Sequence, residues 1–239
     1  ASRLSRSKGE DALQQARSLL AQGKILAVKG LGGYHLACDA MNSDAVERLR
    51  DRKKRSDKPF ALMSFNIEGI ARFVHVSEEE LKLLDSPQHP VVLLKKRTGN
   101  TLLDATAPHQ NHLGFMLPYT PLHLLLLESA PGYPEVLVMT SGNISEEPIA
   151  YEDEDAADRL SSIADGFLTH DRPIHMRVDD SVTRVFEKKV FLIRRARGYA
   201  PQPLSFPKEL PEILACGAEL KNTFSLSRGR DIFISHHIG

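Results

Sequence analysis

The sequence predicts an α/β protein built on a mixed sheet. Short apolar runs of strand length, Ile25–Val28, Tyr34–Cys38, Phe60–Ser64, Val91–Leu94 and Val136–Thr140, are interleaved with segments of helical period. The interleaving follows no regular strand–helix–strand repeat, which argues against a doubly wound sheet. With 239 residues, 41% of them apolar, the chain is long enough to bury a full core.

In chain order, Asp11 to Gln22 carries Leu13, Ala16, Leu19 and Leu20 on one face and ends at Gly23, which predicts an amphipathic helix. The strand Ile25–Val28, the turn Gly30-Leu31-Gly32-Gly33 and the strand Tyr34–Cys38 follow. Asn42 or Ser43 caps the next helix, with Asp44 in its first turn and Ala45, Val46 and Leu49 inward. After the strand Phe60–Ser64, Ser77 caps a helix from Glu78 to Leu84, and Val91–Leu94 is a strand. Pro121 to Glu128 reads as a buried helix, Val136–Thr140 as a central strand, and Asp153 to Ile163 as an acidic-faced helix. Ser181 to Arg194 alternates as a β-hairpin turning at Glu187-Lys188-Lys189. Four prolines between Pro201 and Pro211 predict a linker over 205–212. Beyond it, Ile213–Cys216, Phe224–Leu226 and Phe233–Ser235 are strand-like, with a turn at Arg228-Gly229-Arg230-Asp231. This piece is too short to bury its own face, so residues 213–239 are expected to open a second domain after a first one spanning 1–204.

Composition narrows the functional classes. Lys plus Arg and Asp plus Glu each number 31, so the net charge is zero and no whole-chain field draws the protein to nucleic acid or membrane. Aromatics at 6% supply few stacking platforms, which disfavours RNA binding. Cys38 and Cys216 form no metal or disulfide pattern, which fits a reducing, cytoplasmic setting. No apolar run spans a bilayer. Walker, nucleophile-elbow and zinc-protease signatures are absent, so the chemistry expected is positioning and charge stabilisation.

Two motifs carry that chemistry. Arg48 to Arg55 holds six basic residues and one acid at a helix end. As a charge run it is a solvated, dipole-complementing terminus. Because Lys58-Pro59-Phe60-Ala61 enters a strand at once, Lys53, Arg55 and Lys58 become fixed cations suited to a polyphosphate. Thr140-Ser141-Gly142-Asn143 is a strand-ending turn by composition. It also places the Ser141 hydroxyl and Asn143 amide at a strand's carboxyl end, where ligands commonly sit. Glu146 and Glu147 form a solvated acidic pair or, less simply, help hold a metal. His35, beside the glycine turn, is either structural or a donor to an acyl oxygen. The segment His170 to Ser181 matches no zinc spacing and reads as a loop closing a polar pocket, with Arg177 facing anion.

These segments together resemble one family. Gly32-Gly33-Tyr34-His35-Leu36-Ala37-Cys38-Asp39-Ala40, Lys53-x-Arg55 with Lys58-Pro59-Phe60-Ala61, Ser141-x-Asn143 with Glu146-Glu147-Pro148-Ile149, Arg177-Val178-Asp179-Asp180-Ser181-Val182, and Arg194-Arg195-Ala196-Arg197-Gly198-Tyr199-Ala200-Pro201 are similar, in order, to the YrdC-like domain of HypF-type carbamoyltransferases. The tail from Ala215 looks like the start of their TsaD-like domain. The resemblance implies a twisted α/β sheet with flanking helices and an open, basic concave face. It implies that ATP, with Mg2+, and carbamate derived from carbamoyl phosphate form carbamoyl adenylate. The carbamoyl group would then go to the C-terminal cysteine of HypE in NiFe-hydrogenase maturation. Lys53 and Arg55 would be catalytic; Gly33, Tyr34, His35, Lys58, Ser141, Asn143, Arg177 and Arg195 would bind substrate and nucleotide; no protein-held metal is implied. HypF-type proteins begin with an acylphosphatase-like domain and Cys-x-x-Cys zinc modules, which this sequence lacks, so a fragment unable to complete transfer is expected. Threonylcarbamoyl-adenylate synthesis is the neighbouring alternative; Gly32-Gly33-Tyr34-His35 and the tail weigh against it.

Overall fold

The computed structural model describes residues 7–99, 103–145, 147–218 and 222–236. The first unit holds helices α1 (Gly9–Ala21), α2 (Ser43–Arg52), α3 (Ile67–Ala71), α4 (Glu78–Leu84), α5 (Pro121–Leu127) and α6 (Asp153–Leu160). Its strands are β1 (Leu26–Lys29), β2 (Tyr34–Asp39), β3 (Ala61–Ser64), β4 (Val91–Lys95), β5 (His112–Met116), β6 (Val136–Ser141), β7 (Gly166–Leu168), β8 (Val182–Phe186) and β9 (Lys189–Arg194). They form one nine-stranded sheet in the order β7-β1-β2-β6-β3-β5-β4-β8-β9. Three pairings are parallel, β1 with β7, β3 with β5 and β4 with β8, and the others antiparallel, so the sheet is mixed as the irregular element order predicts. Among the described residues no helix is long and apolar enough to cross a membrane.

The period of two along the strands sorts the core into two layers. Val136 and Val138 of β6, with Leu36 and Cys38 of β2, pack with α2, α3, α4 and α6. Leu137 and Met139 of β6, with Ala37 of β2, face the other way and pack with Leu13, Ala16 and Leu20 of α1 and Leu126 and Leu127 of α5. Arg17 joins these two helices by donating to the carbonyls of Leu125, Leu126 and Glu128. Among the described residues, these are the two helices on this second face. Beyond them, over β6, β3, β5 and β4, the sheet is left open, and that opening becomes the site.

Local signals account for most boundaries. Asn42 caps α2 by accepting from the Ala45 amide, and Ser77 with Glu80 forms a reciprocal capping box on α4. Thr120 caps α5 ahead of Pro121. That helix is only half buried, with Leu124 and Leu125 exposed, because it lies across the sheet surface and not within it.

Two expectations near the end of the chain are corrected. The stretch 205–212 carries strand β10 (Leu204–Leu210) in place of a linker. It pairs with β12 (Phe224–Ile234), which also pairs with β11 (Leu214–Cys216). Pro207 is accommodated because β10 lies at the edge of this three-stranded sheet and its pairing is irregular between Ser205 and Leu210. Likewise β12 runs unbroken through Arg228–Asp231 where a turn is expected. Gly229 takes φ +60° there without reversing the strand.

Candidate functional site

The site begins where α2 ends. Lys54, at φ +51°, takes the left-handed position after the helix, and two bonds close a Schellman motif: Lys54 N–H to the Asp51 carbonyl and Arg55 N–H to that of Arg50. The reversal sends Lys53 and Arg55 to different places. Lys53 is fully buried, and its Nζ donates to the carbonyls of Ser141 (2.6 Å) and Asn143 (2.5 Å) and to Asn143 Oδ1 (2.8 Å). Ser145 adds two bonds to the Lys53 carbonyl. Lys53 therefore pins the Ser141–Asn143 loop to the helix end from beneath and does not line the cavity, contrary to the placement its motif suggested. Arg55 does line it. Its Nε and Nη2 are tied to the Lys58 and Pro59 carbonyls, and its guanidinium lies 5.3 Å from the Phe60 ring centroid, with Arg50 at 4.5 Å.

The cavity on the open sheet face encloses about 570 Å³. Its floor is Ala61, Gly114, Val91, Leu93, Met139 and Val182, the face left uncovered by α1 and α5. Gly114 keeps that floor low, since a Cβ there would come within 2.9 Å of Val91. Arg55, Lys58 and Arg194 supply a cationic wall, and His35, His112, Tyr119, Thr140, Ser141 and Asp180 polar groups around it. Burial, then the neighbouring guanidinium groups of Arg50 and Arg194, push the Arg55 pKa down to about 10. It stays charged at neutral pH, and such crowding of like charge suits an anion.

The polar wall follows from strand register. His35 of β2 stands directly opposite Ser141 of β6. The Ser141 hydroxyl donates to Asn143 Oδ1 (2.7 Å), and Asn143 Nδ2 donates to the Glu147 carbonyl, so the loop is braced internally. Glu147 pairs with Arg159, while Glu146 lies outside the described residues. His35 Nε2 is 3.0 Å from Asp180 Oδ2, and Arg197 Nε donates to Asp180 Oδ1 at 2.8 Å. Arg197 itself is 7% exposed, stacks 3.5 Å over the Tyr119 ring and is held by the carbonyls of Gln88 and His89. Burial would raise the Asp180 carboxyl, but Arg197 and His35 outweigh it and hold it well below the usual carboxylate range.

Of the residues singled out in the sequence, the fold brings His35, Arg55, Lys58, Ser141 and Asn143 to the cavity. It does not bring Gly33, Tyr34, Arg177 or Arg195 there. Gly33 allows close passage of Ile149, whose side chain a Cβ would meet at 2.5 Å. Tyr34 is buried and donates to Asp153 (2.8 Å). Arg195 donates to the carbonyls of Ile234, Tyr199 and Gln202, tying β9 to β12. Its neighbour Arg194 takes the cavity position. Parity with half-buried Leu192 on β9 is the signal that distinguishes the two arginines. Asp180 lies in the polar loop expected to close a pocket but is not singled out within it, and Tyr119 and His112 have no local signature, since long-range pairing assembles them.

Comparison with known proteins places this geometry. The Sua5/YciO/YrdC family model, described as telomere recombination, matches residues 18–196, and the HypF Kae1-like domain model matches 208–239. The carbamoyltransferase HypF2 of Cupriavidus necator is 46% identical over 96% of the chain and 30% of its own length. A crystal structure of full-length HypF in a phosphate- and nucleotide-bound form superposes with a TM-score of 0.88 at 47% identity, over 98% of this chain and 36% of that one. The HypF of T. kodakarensis gives 0.91 at 40% identity, over 98% and 31%. The chain thus spans about a third of the proteins it resembles, and it belongs to the Sua5/YciO/YrdC family in its HypF-like form.

Proposed function

We propose that this chain forms carbamoyl adenylate from ATP and carbamate. The observation that carries the reading is the wall of Arg55, Lys58 and Arg194 beside the Ser141 turn, within one cavity of nucleotide-compatible volume. A carbamate oxygen attacks the α-phosphorus, the new P–O bond forms, and the bond to the β-phosphate bridge breaks with its electron pair leaving on pyrophosphate. The guanidinium and ammonium groups stabilise that leaving charge. Lys53 holds the Ser141–Asn143 loop in register for the nucleotide. Mg2+ would ride on the phosphates, whose oxygens suit a hard cation. By its likeness to HypF, the carbamate would come from carbamoyl phosphate, and the carbamoyl group would pass to the C-terminal cysteine of HypE in the cytoplasm. We assign the nine-stranded sheet to adenylate formation and the three-stranded sheet to the opening of a TsaD-like unit.

The test is ATP–pyrophosphate exchange by this chain, with carbamate supplied from equilibrated ammonium bicarbonate. Exchange should depend on carbamate, and Arg55→Ala should lower it about 10- to 100-fold through loss of a charge-assisted contact. Unchanged exchange in Arg55→Ala removes the site assignment. Exchange requiring added threonine turns the reading to threonylcarbamoyl-adenylate synthesis.

A further inference from the structure

The cavity holds two charge groups with separate partners. Arg55 feels Arg50 and Arg194, while Asp180 feels Arg197 and His35. A carboxylate is out of place in a pure polyphosphate site, because it repels the ligand. Asp180 is nonetheless built in with care. Arg197 and His35 hold its two oxygens, and the Tyr119 ring lies under the Arg197 guanidinium. Backbone bonds fix the loop around it: Val178 N–H to Gly32, Arg197 N–H to the Asp179 carbonyl, and Ala196 N–H to the Ser181 hydroxyl. Gly32 permits this close approach, since a Cβ would lie 2.3 Å from the Val178 carbonyl oxygen. An ionised carboxylate accepts about four hydrogen bonds, and two are used within the protein. The remaining capacity belongs to a residue that lines the cavity.

We propose that Asp180 is a specificity-determining residue of the acyl subsite, accepting an N–H of the carbamate amino group while His35, Tyr119 and Arg197 position it. This rests on the adenylate-forming reading. In an in-line displacement the attacking and leaving oxygens lie on opposite sides of the phosphorus. With pyrophosphate on the cationic wall, the attacking carbamate falls to the other wall, where His35 faces Ser141. The amino group is the only donor that carbamate has and acetate lacks. The same charge repels an N-substituted carbamate that carries its own carboxylate.

The experiment measures carbamate and ATP dependence of exchange separately. In Asp180→Asn the carbamate KM should rise about 10-fold or more, with the ATP KM nearly unchanged. A raised ATP KM with unchanged carbamate KM would assign Asp180 to the nucleoside and overturn the proposal, as would no change in either. The wild-type chain gives a second readout that needs no variant. Acetate, matched in shape but without N–H, should compete with carbamate at least about 10-fold more weakly than carbamate binds. Equal competition overturns the proposal even if Asp180→Asn does not fold. Wild-type exchange that is absent or indifferent to carbamate removes the adenylate reading itself, and this inference with it.

Discussion

Lys53 and Arg55 show how two residues apart on one motif acquire different work. The Schellman reversal at Lys54 turns one inward beneath the 141–143 loop and the other outward to the cavity. Sequence identifies both as fixed cations but not their division, because that depends on the left-handed φ of a lysine at a position usually given to glycine. Lys53→Met should therefore leave the Ser141 and Asn143 carbonyls without their donor and lower stability by about 2 kcal/mol in urea unfolding. A second buried group has the opposite character. His123 is fully buried, neither ring nitrogen has a hydrogen-bond partner among the described residues, and it packs edge-on to Tyr119 and His35. Burial, then the proximity of His35, push its pKa down to about 3. Its folded pKa lies below the unfolded value, so the unfolded chain takes the proton first. Stability present above pH 6.5 is then lost towards pH 3, by about 1.4 kcal/mol per pH unit. Comparing urea unfolding at pH 7 and 4.5, His123→Phe should abolish roughly 2 kcal/mol of the wild-type loss.

At the scale of elements, the sequence reads best where a local signal stands alone. The caps Asn42 and Ser77 lie where expected, and the β8–β9 hairpin turns at Glu187 and Lys188. Strands β5 and β7 escape notice for physical reasons. β5 breaks its apolar run with Gly114, needed for floor clearance under Val91, and β7 is only three residues long. The hairpin carries an improvable defect. Glu187 and Lys188 both have positive φ, at 48° and 60°, the geometry of a two-residue turn that favours Asn-Gly. The double substitution Glu187→Asn with Lys188→Gly should raise stability by about 1 kcal/mol, read as a higher urea midpoint with unchanged slope.

For the whole molecule, the order of nine strands was not legible, because the partners of β6, β2 on one side and β3 on the other, lie far away in the chain. With it went Asp180, Tyr119 and Arg194, which become neighbours of His35 and Arg55 only through that order. What composition does reveal is that a neutral chain concentrates its positive charge locally, and the fold sets Arg50, Arg55 and Arg194 together. That crowding has a thermodynamic consequence. The mutual repulsion of these guanidinium groups is relieved by a bound polyanion, so ligand and folding are linked. Inorganic pyrophosphate alone should raise the melting temperature, by an amount equivalent to about 2.7 kcal/mol at a hundred times its dissociation constant. The shift should shrink as salt is added and in Arg55→Ala. The leaving group of the proposed reaction would then also be its natural brake, with pyrophosphate departure limiting turnover once the adenylate has formed.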